Sequence, residues 1–98
     1  MSYESKLKSE DTELLFEAIL TLKTKEDCYR FFEDVSTINE LKSLAQRFHI
    51  AKLLSDKLTY QDIEQKTGAS TATISRVARC LNYGSDGYLN ALSRIEDD

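Results

Sequence analysis

The chain has 98 residues, 41% hydrophobic and 31% charged, with a formal charge of −4 and a pI near 5.0. That length fits one domain with a modest core, and the acidic total argues at face value against nucleic acid. Absence of proline and only three glycines exclude long linkers; helix formers dominate and period-two alternation is nowhere sustained, so the chain is predicted to be all-α.

Met1 to Lys8 shows no pattern beyond Tyr3 and Leu7 and is expected to fray. A first helix is predicted from just after Ser9 to about Leu22, with a stripe of Leu14, Leu15, Ala18, Ile19 and Leu22. Glu10, Asp11 and Glu13 fall in its first turn, where the helix dipole favours acids. Thr24, with Asp27 three residues on, opens a second helix to about Val35 that is expected to bury Cys28, Phe31, Phe32 and Val35. Tyr29 lies off that stripe and suggests a second contact surface. Ser36 and Thr37 break the helix, and Thr37 with Glu40 makes a capping box. The third helix, about Ile38 to Ser55, is the longest. One apolar row is Leu41, Leu44, Ala45, Phe48 and Ala51, and Ile50, Leu53 and Leu54 make a second. So wide an apolar arc is normally covered on more than one side, which makes this helix the expected central pillar.

Thr59 to Lys66 reads as a short helix with Thr59 as N-cap, Asp62 three residues on, and Ile63 as the apolar residue turned inward. Gly68 ends it in the conformation glycine reaches cheaply, φ above zero. Ser70 caps the next helix, and Ile74, Val77, Ala78 and Leu81 follow at spacings of three and four. Two short helices joined by a glycine turn, with Ile63, Ala69, Ile74 and Val77 apolar, form a helix-turn-helix pattern. Its second helix keeps Thr71, Thr73, Arg76 and Arg79 off the apolar stripe, and short hydroxyls and guanidiniums are what base edges and phosphates need. This unit is therefore expected to be a DNA-reading head.

Gly84-Ser85-Asp86-Gly87 is a predicted turn, and a last helix from about Tyr88 to Ile95 presents Tyr88, Leu89, Leu92 and Ile95 ahead of an acidic tail. Cys28 and Cys80 are isolated, with His49 the one histidine near enough in type to join them, so both are read as core thiols in a reducing compartment and no metal site is expected. No nucleophile–base pair or phosphate-cradling loop is present, so the chain is not expected to be an enzyme. The N-terminus lacks an apolar signal core and no apolar run approaches a membrane span; a cytoplasmic, soluble protein is expected.

Charge is unevenly spread. Residues 1–41 carry five basic and ten acidic side chains, residues 42–84 seven basic and three acidic, and residues 85–98 one basic and four acidic. Phosphate attraction is screened beyond roughly 8–10 Å, so the local basic patch outweighs the total. The apolar stripes of the first two helices and both rows of the third exceed what one chain of this length covers well. A two-fold dimer with a shared helical core is the favoured expectation, against one compact six-helix monomer.

The string TYQDIEQKTGASTATISRV, preceded by LAQRFHIAKLL and followed by LNYGSDGY, resembles the Trp-repressor superfamily, and within it the small YerC/YecD-type proteins. The match is dense from about Leu41 to Tyr88. The resemblance implies a bacterial transcription regulator with an all-α, six-helix, intertwined homodimer fold. Residues 1–56 would form a dimerisation core, 57–83 the helix-turn-helix and 84–98 the C-terminal helix and tail of a single domain. The heads would enter successive major grooves of double-stranded DNA. The family's repressor holds L-tryptophan between two arginines, which fall on Arg76 and on Gln46, or Arg47 if the alignment slips by one. Its ring-accommodating glycine and an ammonium-holding serine correspond to Val77 and Cys80. Those changes remove space and polar partners, and an unpaired buried ammonium is costly, so tryptophan-controlled switching is not expected.

The DNA-facing candidates are thus Lys57, Gln61, Lys66, Ser70, Thr71, Thr73, Arg76 and Arg79. Lys57, Lys66 and Arg79 are assigned to phosphates, Thr71, Thr73 and Arg76 to the groove, Gln61 to either, and Ser70 shares its role with capping. Against this stands a protein-interaction module without specific DNA binding, favoured by the low pI and Glu64. A sigma-type promoter-reading domain also uses such a helix pair, but the GASTATISR string fits the repressor pattern better.

Overall fold

The computed structural model describes residues 3–96 as six helices: α1 (Glu10–Ile19), α2 (Lys25–Val35), α3 (Ile38–Ser55), α4 (Tyr60–Thr67), α5 (Thr71–Tyr83) and α6 (Gly87–Glu96). No strand occurs among the described residues, as the residue pattern predicts. Met1, Ser2, and Asp97 and Asp98 of the expected acidic tail lie outside them.

Side-chain hydroxyls start the helices where the sequence places them. Ser9, Thr24, Thr59 and Ser70 sit in extended backbone and accept from the amides of Thr12, Asp27, Asp62 and Thr73. Each bond satisfies one of the donors that a helix start leaves without a partner. Asp27 reaches back one residue further than a capping box requires, accepting from the Lys23 amide at 3.1 Å.

The chain separates into two compact units, one up to Thr37 and one from Ile38 onward. The division falls inside the 1–56 stretch expected to act as one core. In the second unit α3 packs against α4, α5 and α6, the pillar role its double apolar row predicts. The core there is Ile50, Ala51, Ile63, Ala69, Ile74, Val77 and Leu92, with Phe48, Leu53, Leu54, Leu58, Leu81 and Tyr88 packed around it. Ile50, Ile63 and Ile74 are completely enclosed. Burial of such a side chain stabilises by about 1.5–3 kcal/mol, so these few residues carry much of the unit's stability. Lys52 and Asp56 form a half-exposed ion pair at 3.0 Å near the end of α3, and that hydrogen bond raises the Lys52 pKa. Lys57 then takes φ 71, and the Leu58 amide returns to the Leu53 carbonyl at 3.2 Å, which ends the helix.

The first unit departs from expectation. Neither α1 nor α2 contains a buried residue. Leu15, Ala18, Ile19, Leu22, Phe31 and Phe32 are half-buried, whereas Leu14 (68%), Val35 (52%) and Cys28 stay exposed. Two short helices have too little surface to enclose one another's stripes. Cys80 is exposed as well, so neither cysteine is a core thiol within the chain. α1 stops at Ile19 rather than about Leu22. The Thr21 hydroxyl takes the Ala18 carbonyl at 2.6 Å and the amides of Thr21 and Leu22 fall back to three-residue bonds, so the last turn tightens and closes. The described residues just before α1 are tied to it rather than frayed. Thr12 Oγ1 donates to the Leu7 carbonyl at 2.8 Å and the Lys8 amide reaches Ser5 at 3.4 Å. α6 begins one residue early, at Gly87, because Asp86 takes the left-handed turn at φ 66.

Gly68 joins α4 to α5 at φ 73, and a Cβ added there would meet nothing within 4 Å. Substitution is therefore strained through the backbone alone. Gly68→Ala is expected to lose about 1–2 kcal/mol in urea unfolding, and Gly68→Asn less, since asparagine tolerates this conformation.

Candidate nucleic-acid interface

α4 ends on Thr67 and α5 begins on Thr71, so three residues make the whole turn. The Gly68 amide donates to the Glu64 carbonyl at 2.8 Å, closing α4. Thr67 Oγ1 donates to the Ile63 carbonyl at 2.7 Å and accepts from the Ala69 amide at 3.2 Å. Ala69 is buried, which pins the turn to the core between Ile63 and Ile74. The apolar face of α5 is thereby directed inward and its other face to solvent.

On the solvent side of α5 Thr71, Arg76 and Arg79 are exposed, Arg76 at the edge where it also lines a cavity towards α3 and α6; Lys57, Gln61, Lys66 and Ser70 are exposed as well. Thr73 differs: it is half-buried, and its Oγ1 lies 3.1 Å from Ser70 Oγ, which also accepts the Thr73 amide at 3.2 Å. Its hydroxyl thus shares in the helix cap. Ala72 and Ser75 are exposed beside these residues and were not among the sequence candidates. Four-residue steps, Thr71 to Ser75 to Arg79 and Ala72 to Arg76, are the signal that would have found them. Ser70 to Thr73 form the amino end of α5, where unpaired N–H groups and the dipole favour an anion. No described group of His, Cys, Asp and Glu is arranged to hold a metal ion.

Behind α5 a cavity of about 340 Å³ opens towards α3 and α6, lined by Leu44, Arg47, Phe48, Arg76, Val77, Cys80 and Tyr88. Phe48 and Tyr88 rings stand 6.2 Å apart at its side. Two guanidiniums, apolar walls and one thiol suit an anion with an apolar body. Val77 and Cys80 both line this space. Of the expected ligand residues, Arg47 and Arg76 reach the cavity; Gln46 instead donates through Nε2 to the Thr67 carbonyl at 3.1 Å.

A pillar helix carrying a glycine-hinged helix pair defines an all-α helix-turn-helix protein. The chain matches the model of the Trp repressor protein family over residues 10–96 and belongs to that family. The YerC protein of Bacillus subtilis, itself uncharacterised, is 56% identical over 92 residues, 94% of this chain and 88% of its own. A Trp operon repressor homolog of Chlamydia trachomatis is 37% identical over 76 residues, 72% of this chain and 80% of its own. The crystal structure of a TrpR-like protein from Eubacterium eligens superposes with a TM-score of 0.89 at 59% identity, covering 93% of this chain and 94% of the other.

Ser70 and Thr71 differ in local role, since Ser70 caps α5 and Thr71 is its exposed first residue. Ser70→Ala is expected to cost ~0.5–2 kcal/mol of stability through the lost N-cap, whereas Thr71→Ala stays within about 0.5 kcal/mol; thermal unfolding of both variants measures the difference.

Proposed function

We propose that the chain is a sequence-specific, double-stranded-DNA-binding regulator of transcription, most simply a cytoplasmic repressor, acting as a homodimer. The observation that carries this reading is the outward face of α5: Thr71, Arg76 and Arg79 exposed on a helix held by a three-residue turn, in a chain of the Trp repressor family. Membership of a repressor family supports a regulator rather than an enzyme. No described helix is long and apolar enough to cross a membrane.

In this reading Lys57, Lys66 and Arg79 take phosphates and set register, while Thr71 and Arg76, with Gln61 beside them, meet the groove. Ser70 offers its helix start to a phosphate, and Thr73 supports the reading face by holding that start in shape. The domain divides by role into a dimerisation core (1–56), the head (57–83) and the last helix with its acidic tail (84–98). Dimerisation is supported by the apolar surface that one chain leaves open: Leu14, Leu20, Tyr29 and Val35 around α1 and α2, and Leu89 and Ile95 on α6. Surface of this kind on a small chain is characteristic of an interface.

Selection of bound fragments from the source genome tests the proposal directly. A recovered operator is expected to be two-fold symmetric, and sedimentation of the complex to show two chains per duplex. Arg76→Ala is expected to lose ~1–3 kcal/mol of operator binding and relax the preference at one position, while Lys66→Ala lowers the slope of log affinity against log salt by about one unit. Operator affinity untouched by Arg76→Ala removes that residue from the interface. Failure of the wild type to be retained on heparin or genomic DNA at low salt turns the reading to a protein-interaction module.

L-tryptophan is proposed not to control this binding. Gln46 is engaged elsewhere, and the side chains lining the cavity offer an ammonium two cations and no carboxylate. Calorimetry is expected to show no micromolar binding of L-tryptophan, and operator affinity to be the same with and without it.

A further inference from the structure

We infer that Gln46 is a positioning residue that sets the orientation of the helix-turn-helix on α3 from within the chain. Gln46 is half-buried on α3, and its Nε2 donates to the Thr67 carbonyl at 3.1 Å across 21 residues of sequence. Thr67 is the last residue of α4, where the final carbonyls have no partner inside the helix. Its own hydroxyl ties Ile63, behind the turn, to Ala69, ahead of it. The Gln46 bond thus grips the peptide through which α4 hands over to α5.

The apolar contacts alone do not fix this orientation. Ile63, Ala69, Ile74 and Val77 against Ile50 and Ala51 hold the head close to α3, but apolar burial is non-directional and permits small rolls of one helix on another. A hydrogen bond to a carbonyl weakens steeply as its angle closes, so it selects one roll angle. Arg47, the next residue, lines the cavity beside Arg76, so successive positions of α3 serve the turn and the cavity separately. The head is therefore held in one geometry by the chain itself, with the cavity left to a different use.

The test compares the intact wild type with Gln46→Met, which keeps the length and packing and removes the donor. Amide hydrogen exchange in the free protein is expected to quicken about tenfold at Gly68 and Ala69 and less at Ile74, with the thermal midpoint lowered by no more than a few degrees. Affinity for a fragment selected from the genome is expected to fall about tenfold while affinity for random-sequence duplex and the salt slope stay the same, because the phosphate contacts are intact. Unchanged exchange at Gly68 and Ala69, or a loss of protection spread evenly over the unit, overturns the assignment. The affinity measurement rests on the DNA-binding reading and the exchange measurement does not. A wild type that binds no duplex ends that reading while Gly68 and Ala69 still report on the tether.

Discussion

A single left-handed residue lets two helices meet within three positions. With Gly68 at φ 73, α4 stops on its own cap and the chain reverses into the Ser70 cap of α5 before another turn of helix can form. Everything outward-facing follows from this. Ile63 and Ile74 are brought into one enclosed cluster with Ala69 between them, and closing that cluster fixes which side of α5 is dry. Thr71, Arg76 and Arg79 are then left in water by geometry. A residue with a Cβ at the turn strains the backbone, and a longer turn would separate the two isoleucines and slacken the face they determine.

Electrostatics works locally on this frame. The chain is acidic in total, yet residues 42–84 have an excess of positive charge, and the amino end of α5 adds its dipole without adding a charged side chain. Over the length at which salt screens, the charge balance of the segment that carries α5 counts for more than the total of the chain.

The two compact units solve different physical problems. The unit from Ile38 onward closes a true core around α3 and presents its head on that core. The unit up to Thr37 closes none: its helices are well capped and internally regular, and its apolar residues are at best half-buried. Helices with capped ends and uncovered stripes are local structure whose apolar faces their own unit leaves open. Exposure of Cys28 belongs to the same pattern, since it stands on the α2 stripe beside the half-buried phenylalanines.

Local signals in the sequence determined where most helices begin and end, because capping is settled within four residues: Ser9, Thr24, Thr59, Ser70 and Gly68 each do in the structure what their type dictates. The period of Ile63, Ile74 and Val77 likewise determined the inner face of the head, and the motif around GASTATISR pointed to the family. Other features needed the third dimension. The sharing of the Ser70 cap by the Thr73 hydroxyl, and the exposure of Ala72 and Ser75 beside Arg76 and Arg79, are set by how α5 seats on the core. Burial on α1 and α2 falls short of what their stripes predict, since an apolar stripe records that a residue prefers cover and not whether its own chain supplies it. Gln46 carried no local signal at all: its partner lies 21 residues away, and only the packing of α3 against α4 decides that the amide reaches a helix end instead of a ligand.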